Sequence, residues 1–389
     1  MEELTRQEQR VLTYIDDHRA EMLALWERLV ATESPTEDKR GVDAVGRILG
    51  KELEAAGARV EYLPNEVRGD LLHGEWGTGN PGKPIIFCGH MDTVFPLGTL
   101  EKRPFRLEDG RAYGPGILDM KAGLTIAVYV LKALQDAQYH DRPIRILFAS
   151  DEEGGHRKSD SISYLQQLSR GAGAAFNFET GYPDDGIVVS RKGCARFSLD
   201  VTGVEAHSGN CPEKGRSAVR EMAHKILALE DLNDLPNGTS VNVGVISGGT
   251  VVNAVPGSCH ADVDVRYTQQ SRMEAVLAAA RKIADTCYTD GCTCTMTEPI
   301  VSVAMEETPG NTALFRHVQE TARRIGYGDV KPIRSGGWSD SNLLSAEGVP
   351  VVCAMGVRGE HNHTTREYAE VESLFARAKL AAAAVLGLE

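Results

Sequence analysis

Apolar residues recur at helical spacing over residues 9–31, where Val11, Leu12, Ile15, Met22, Leu23, Leu25 and Leu29 define one face of an amphipathic helix. Residues 42–56 repeat that pattern and stop at Gly57. Short apolar runs then predict strands at 59–62, 71–74, 84–88, 144–150 and 174–178, with helices at 121–137 and 161–169. Strands alternating with helices imply an α/β layer around a mostly parallel central sheet flanked by helices.

Near Lys192 the pattern changes. Residues 195–202, 241–247 and 258–267 alternate with period two, 217–229 and 273–286 read as helices, and 292–297 is a Thr/Cys-rich strand. Strand, helix, strand, strand, helix, strand is the ferredoxin-like α+β order. The α/β texture resumes around Asn311 and ends in a strand at 350–355 and a helix at 371–386. The expected organisation is one catalytic domain in two parts, 1–191 and 303–389, interrupted by an inserted domain at 192–302.

A chain of 389 residues favours two domains, and 42% hydrophobic with 25% charged residues suits a globular protein. The formal charge of −13 argues against nucleic acid as partner, because phosphate binding needs a basic surface. No run approaches the ~20 apolar residues of a membrane span, and residues 1–10 lack the apolar core of an export signal, so a cytoplasmic location is expected. The eight cysteines form no C-x-x-C knuckle and read as free thiols in a reducing compartment.

Polar groups gather at the ends of predicted strands, where α/β folds place their sites. His90 and Asp92 follow the strand at 84–88; an imidazole binds zinc well, and a carboxylate two residues on can hold its other nitrogen. Alone, the pair also fits a surface histidine beside a capping aspartate. Asp119 ends a Gly-rich turn before a helix and fits either an N-cap or a carboxylate bridging two metals. Asp151, Glu152 and Glu153 end the most apolar strand. Three adjacent acids repel unless something positive lies among them, and they suit a division of labour, with Glu153 on metal and Glu152 moving a proton. Glu179 ends another strand, and His361 and His363 follow the strand at 350–355. Two histidines, three carboxylates and a spare glutamate suit a pair of zinc ions sharing one carboxylate and a water.

With these motifs in place the chain resembles the dinuclear zinc peptidase family of glutamate carboxypeptidase, succinyl-diaminopimelate desuccinylase, acetylornithine deacetylase and aminoacylase. The likeness covers nearly the whole chain. It is nearest to the glutamate carboxypeptidase branch through His90-Met91-Asp92-Thr93-Val94, Ala112-Tyr113-Gly114-Pro115-Gly116-Ile117, Asp151-Glu152-Glu153 and Asp264-Val265-Arg266-Tyr267. The resemblance implies a zinc-peptidase catalytic domain with an inserted dimerisation (lid) domain. It implies His90 and Glu179 on one ion, Glu153 and His363 on the other, and Asp119 bridging. Asp92 would orient His90, and Glu152 would be the general base and then the acid. It also implies a cis peptide at Asp119–Met120. His363 is preferred over His361 because it stands four residues before Glu367-Tyr368, the family spacing. The cofactor expected is two zinc ions per chain, with cobalt or manganese able to occupy such sites.

Gly203-Val204-Glu205-Ala206-His207-Ser208-Gly209 resembles the family segment whose histidine reaches the partner subunit's site, so His207 would stabilise an oxyanion and the chain would be a homodimer through the inserted domain. Asn253 and Arg266 match positions that hold a substrate's free α-carboxylate, a task suited to the arginine fork. Gly337 lies in Ser335-Gly336-Gly337-Trp338-Ser339-Asp340, similar to a loop lining the substrate pocket, with Trp338 where a small residue is expected. The expected activity is hydrolysis of an amide bond beside a free carboxylate, in a small peptide or N-acyl amino acid; the alternative is an N-acyl-amino-acid deacylase. A non-catalytic binding protein would be expected to lack the base or a ligand. A metallophosphatase would leave Arg266 and Asn253 unexplained.

Overall fold

The computed structural model describes residues 4–388, and the chain divides into two compact units. The first runs to Val189 and takes in Glu307–Arg334 and the chain from Ser339; the second comprises Ser190–Glu306 and Ser335–Trp338.

The first unit is built on a six-stranded sheet. Its spatial order is Arg59–Leu63, Leu71–Trp76, Ile144–Ala149, Ile85–His90, Ala174–Asn177 and Val351–Val352. The last four run parallel, and the first two join antiparallel at one edge. Ile85–His90 is buried at every position, as a strand covered on both faces must be. Helix Ala122–Asp136 is apolar on nearly every side, which requires burial all round, and Val371–Leu386 packs against it.

The helix expected over residues 9–31 is two helices, Arg6–Asp17 and Arg19–Val30. The break is at His18, whose Nδ1 lies 2.8 Å from the Tyr14 carbonyl while its ring stacks on Tyr14. The Tyr14 carbonyl thus accepts from the His18 backbone N–H at 3.1 Å and lies within reach of the His18 ring as well. A four-stranded sheet of very short strands also escapes the periodicity: Gly359–Glu360, Tyr368–Glu370, Arg111–Tyr113 and Arg106–Glu108. It sets Tyr113 beside Tyr368, so the turn at 114–119 and the loop at 361–367 leave neighbouring strands.

The second unit has a sheet ordered Ser240–Gly248, Ser258–Tyr267, Gly193–Thr202, Thr293–Met296, all antiparallel. In chain order the strands are 1 to 4 and their spatial order is 2-3-1-4, the ferredoxin-like arrangement. Gly193–Thr202 alternates buried and more open positions, and helices Ala218–Glu230 and Gln270–Asp285 supply the facing core. Among the described residues no helix is long and apolar enough to cross a membrane.

Candidate metal centre

His90, Asp92, Glu152, Glu153 and Glu179 all lie at or just beyond the carboxyl ends of the parallel strands. Pairing in register sets His90 beside Ala149, two residues before Asp151, and Cys88 beside Asn177, two before Glu179. Parallel pairing thus gathers groups far apart in sequence at one edge.

Asp92 is fully buried and organises this edge. Its Oδ1 lies 3.2 Å from His90 Nδ1. The same carboxylate accepts the Glu152 N–H and the Glu153 N–H, each at 3.1 Å, and the Thr36 hydroxyl at 2.6 Å. A carboxylate only accepts, so His90 Nδ1 donates to Asp92, and that bond orients the ring so that Nε2 faces Asp119.

Asp119 sits in a non-helical kink at the start of the buried helix, and its bond to Met120 is cis. One oxygen, Oδ1, lies 3.2 Å from His90 Nε2; the other, Oδ2, lies 3.1 Å from His363 Nε2 and accepts from Asn362 Nδ2 at 3.1 Å. Glu179 Oε1 is 3.7 Å from His90 Nε2, and Glu153 Oε2 is 3.2 Å from His363 Nε2. Two donor groups result, His90–Asp119–Glu179 and Asp119–Glu153–His363, each with ligand atoms within 4.8 Å of one another. Asp119 belongs to both. Glu152 Oε2 stands 4.0 Å from His90 Nε2 and belongs to neither group.

The electrostatics call for added positive charge. Burial disfavours a charged His90, yet its contacts with Asp119 and Asp92 outweigh that and hold its pKa well above the ordinary value. His363 is pushed up to about 11 by hydrogen bonds to Asp119 and Glu153. Burial drives Glu152 well above the usual carboxylate range, and the charges of Glu179, Asp340 and Glu153 add to this. Glu153 is raised too, chiefly by burial, and its Oε1 is buried without a hydrogen-bond partner in the protein. An orphaned carboxylate oxygen among crowded acids and histidines is the donor chemistry a divalent cation satisfies. His363 is 51% exposed where the other donors are buried, so the cluster is open on that side.

Several contributors carry little signal in the sequence. Glu367 is buried, and its carboxylate accepts the N–H groups of Gly116, Leu118 and Asp119 at 3.0–3.1 Å, pinning the turn that presents Asp119. Its only trace was its spacing from His363. Thr36 and Asn362 had none.

In the second unit His207 is exposed, and its Nδ1 accepts the N–H groups of Gly209 and Asn210 at 3.1 Å. The proton of the neutral ring is therefore on Nε2, which faces outward as a donor. Short pairing of Ala206–His207 with Ala254–Val255 brings Asn253 alongside, and its carbonyl accepts the Ser208 N–H at 2.9 Å. Arg266 donates Nε to Asp264 at 2.8 Å, and Gly337 offers its carbonyl to Arg191 at 3.2 Å.

The chain matches the sequence profile of Peptidase family M20/M25/M40 over residues 86–387. It is 28% identical over 390 residues to carboxypeptidase G2 of Pseudomonas sp. (strain RS-16), covering 96% of this chain and 90% of that one. It is 32% identical over 288 residues to succinyl-diaminopimelate desuccinylase of Cupriavidus necator, covering 68% and 73%. Among solved structures, aminopeptidase PepT from Bacillus cereus ATCC 10987 shares the fold with a TM-score of 0.82 at 24% identity, over 95% of this chain and 98% of that chain.

Proposed function

The chain belongs to peptidase family M20/M25/M40 and is a metal-dependent hydrolase of amide bonds; on that premise we propose that it cleaves an amide beside a free carboxylate, in the manner of a glutamate carboxypeptidase, with two zinc ions. The sharing of Asp119 between the two donor groups is the observation that carries this reading. His90 and Glu179 would hold one ion, Glu153 and His363 the other. Imidazole and carboxylate donors suit zinc, and cobalt or manganese can use them as well. Bound there, the ions would supply Lewis acidity to water and to the substrate carbonyl.

The protein's own groups do the rest. Glu152 is half-buried, lies beside both donor groups and has its pKa drawn upward, so it is suited to take the proton of the attacking water and return it to the leaving amine. Asp92 keeps the His90 ring in one tautomer and holds the Glu152 backbone in place. His207, with its proton on Nε2, is equipped to donate to an oxyanion. Arg266 is braced through Nε by Asp264, which leaves its terminal nitrogens for the substrate carboxylate, with Asn253 and Gly337 as further contacts.

An N-acyl-amino-acid deacylase is the second reading, because a free α-carboxylate beside the cleaved amide fits both. The test is hydrolysis by zinc-loaded protein of dipeptides ending in glutamate or aspartate, set against N-acetyl and N-succinyl amino acids. Glu152→Gln should lower kcat at least a thousandfold while two metal ions per chain remain by elemental analysis. Normal turnover in that variant, or one ion per chain in the active wild type, would overturn the assignment.

A homodimer through the inserted domain is part of the reading. Supporting it, Ser240–Gly248 is a sheet edge that exposes Val245 and Ile246. Sedimentation should return twice the chain mass. The eight cysteines are free, which fits the cytoplasm.

A further inference from the structure

Glu153 has two neighbourhoods. One oxygen faces His363; its other side borders a cavity of about 780 Å³ lined in part by Pro35, Val94, Pro96 and Leu97. That volume is in the range of small-molecule sites. The four apolar side chains come from two loops that the fold fixes to one another. Pro35 bridges Thr93, the Thr93 N–H donates to the Ser34 carbonyl at 2.8 Å, and Thr36 donates to Asp92.

Leu97 is 62% exposed and Val94 41% exposed, yet neither sits on a loose loop. The Glu33 carboxylate accepts the Gly98 N–H and the Leu100 N–H, each at 2.9 Å, so the chain is tied down immediately after Leu97. Holding an aliphatic side chain out in water forgoes burial free energy, and a tied-down loop preorganises it for an apolar guest.

The rest of the wall bears on which guest. Glu37 is paired with Arg68, so its charge is largely answered, and Asp38 adds a negative charge to the rim. A guest ending in a carboxylate would lie on apolar wall beside Asp38. An uncharged chain meets neither difficulty.

We propose that this cavity is the acyl subsite of the hydrolase and that it takes an uncharged, apolar acyl group, whose carbonyl is cleaved from the amino acid at the adjoining metal centre. The inference rests on the amide-hydrolase reading above and deepens it. It favours amino acids bearing alkanoyl or aromatic acyl groups over those bearing dicarboxylic ones.

The experiment uses zinc-loaded full-length protein and four acyl derivatives each of glutamate and leucine: N-acetyl, N-butanoyl, N-octanoyl and N-succinyl. On the better amino acid, kcat/KM should rise roughly two- to fourfold per methylene from acetyl to butanoyl and further to octanoyl. The succinyl compound should fall below butanoyl, which has the same chain length. Leu97→Asp should cut the octanoyl-to-acetyl ratio of kcat/KM at least tenfold, and Val94→Ser by a smaller factor. Because Leu97 is exposed, both variants should fold, which an unchanged circular dichroism melt checks. Hydrolysis with a flat acyl series, a preference for succinyl, or an unchanged ratio in Leu97→Asp would overturn the subsite and leave the amide-hydrolase reading standing. Absence of hydrolysis across all eight compounds would overturn the subsite, and the amide-hydrolase reading falls with it only if dipeptides ending in glutamate or aspartate are not cleaved either.

Discussion

At the scale of single residues, the candidate centre depends on groups that touch no substrate. Glu367 holds the Asp119 turn through three N–H bonds, two to one oxygen and one to the other. In Glu367→Gln an amide NH2 must face one of those N–H groups, and the turn loses an acceptor. Metal affinity is expected to fall about 10- to 100-fold, as for other changes that disturb the groups orienting a ligand. Competition against a chelator measures it, and an affinity equal to wild type would rule out this positioning role. His156 shows a different dependence. Its Nδ1 lies 2.9 Å from Asp151 and its Nε2 2.6 Å from Asp340, all three buried, so both nitrogens donate and the ring is an imidazolium. Burial opposes that charge, but Asp340 and Asp151 hold its pKa well above the ordinary value. A histidine raised on folding contributes fully below about pH 6.5 and loses the contribution as pH rises through its folded-state pKa, by roughly 1.4 kcal/mol per unit. His156→Gln should therefore be destabilised by about 3–5 kcal/mol near neutral pH, since two buried carboxylates lose their partner. Urea melts should also show wild type losing stability more steeply than the variant between pH 7 and pH 9. Parallel pH profiles would show that the ring is neutral in the folded protein.

At the scale of elements, what the sequence disclosed followed the length of the pattern. The parallel strands lie within apolar runs such as 144–150 and 350–355, which are longer than a strand like Val351–Val352 itself, so both they and the acids and histidines at their ends could be located from the residues alone. The small sheet that brings the Asp119 turn to the His363 loop has strands of only two or three residues, too short for any periodicity. It was invisible for that reason, although it decides which loops meet. The two N-terminal helices show the opposite failure: the apolar stripe runs on through His18, and the break there coincides with stacking of its ring on Tyr14, a contact that no pattern of apolar positions contains. A close approach between elements gives a further test. A Cβ on Gly123, near the start of helix Ala122–Asp136, would strike the carbonyl of Phe178, the residue before Glu179. Gly123→Ala must push the helix away from the strand end that presents Glu179. About 1–3 kcal/mol of destabilisation is expected from overpacking. Metal content should fall along with it, and a variant with full stability and both ions would mean that the helix can shift at no cost to the site.

At the scale of the whole molecule, the inserted unit was legible because a change from mixed α/β texture to period-two strands spans about a hundred residues. The assignment of Ser335–Trp338 to that same unit was not, since four residues distant in sequence leave no trace in hydropathy. The division into units also says where the metal should matter. Every proposed ligand belongs to the first unit, and its edge gathers buried Asp119 and Glu179 with half-buried Glu152 and Glu153, where like charges repel unless cations lie among them. Ions bound at about a thousandfold above their dissociation constant would add roughly 4 kcal/mol to that unit. Chelation should then lower its melting temperature by on the order of 10 °C. Hydrogen exchange should quicken at the carboxyl ends of the parallel strands and in the loop at 361–367. The helix-backed sheet of the second unit has its own core and none of the ligands, so its amides should exchange as before. Equal loss of protection in both units would mean that they unfold as one cooperative body. No loss in either would mean that the carboxylate edge is stable without cations, which its burial and crowding argue against.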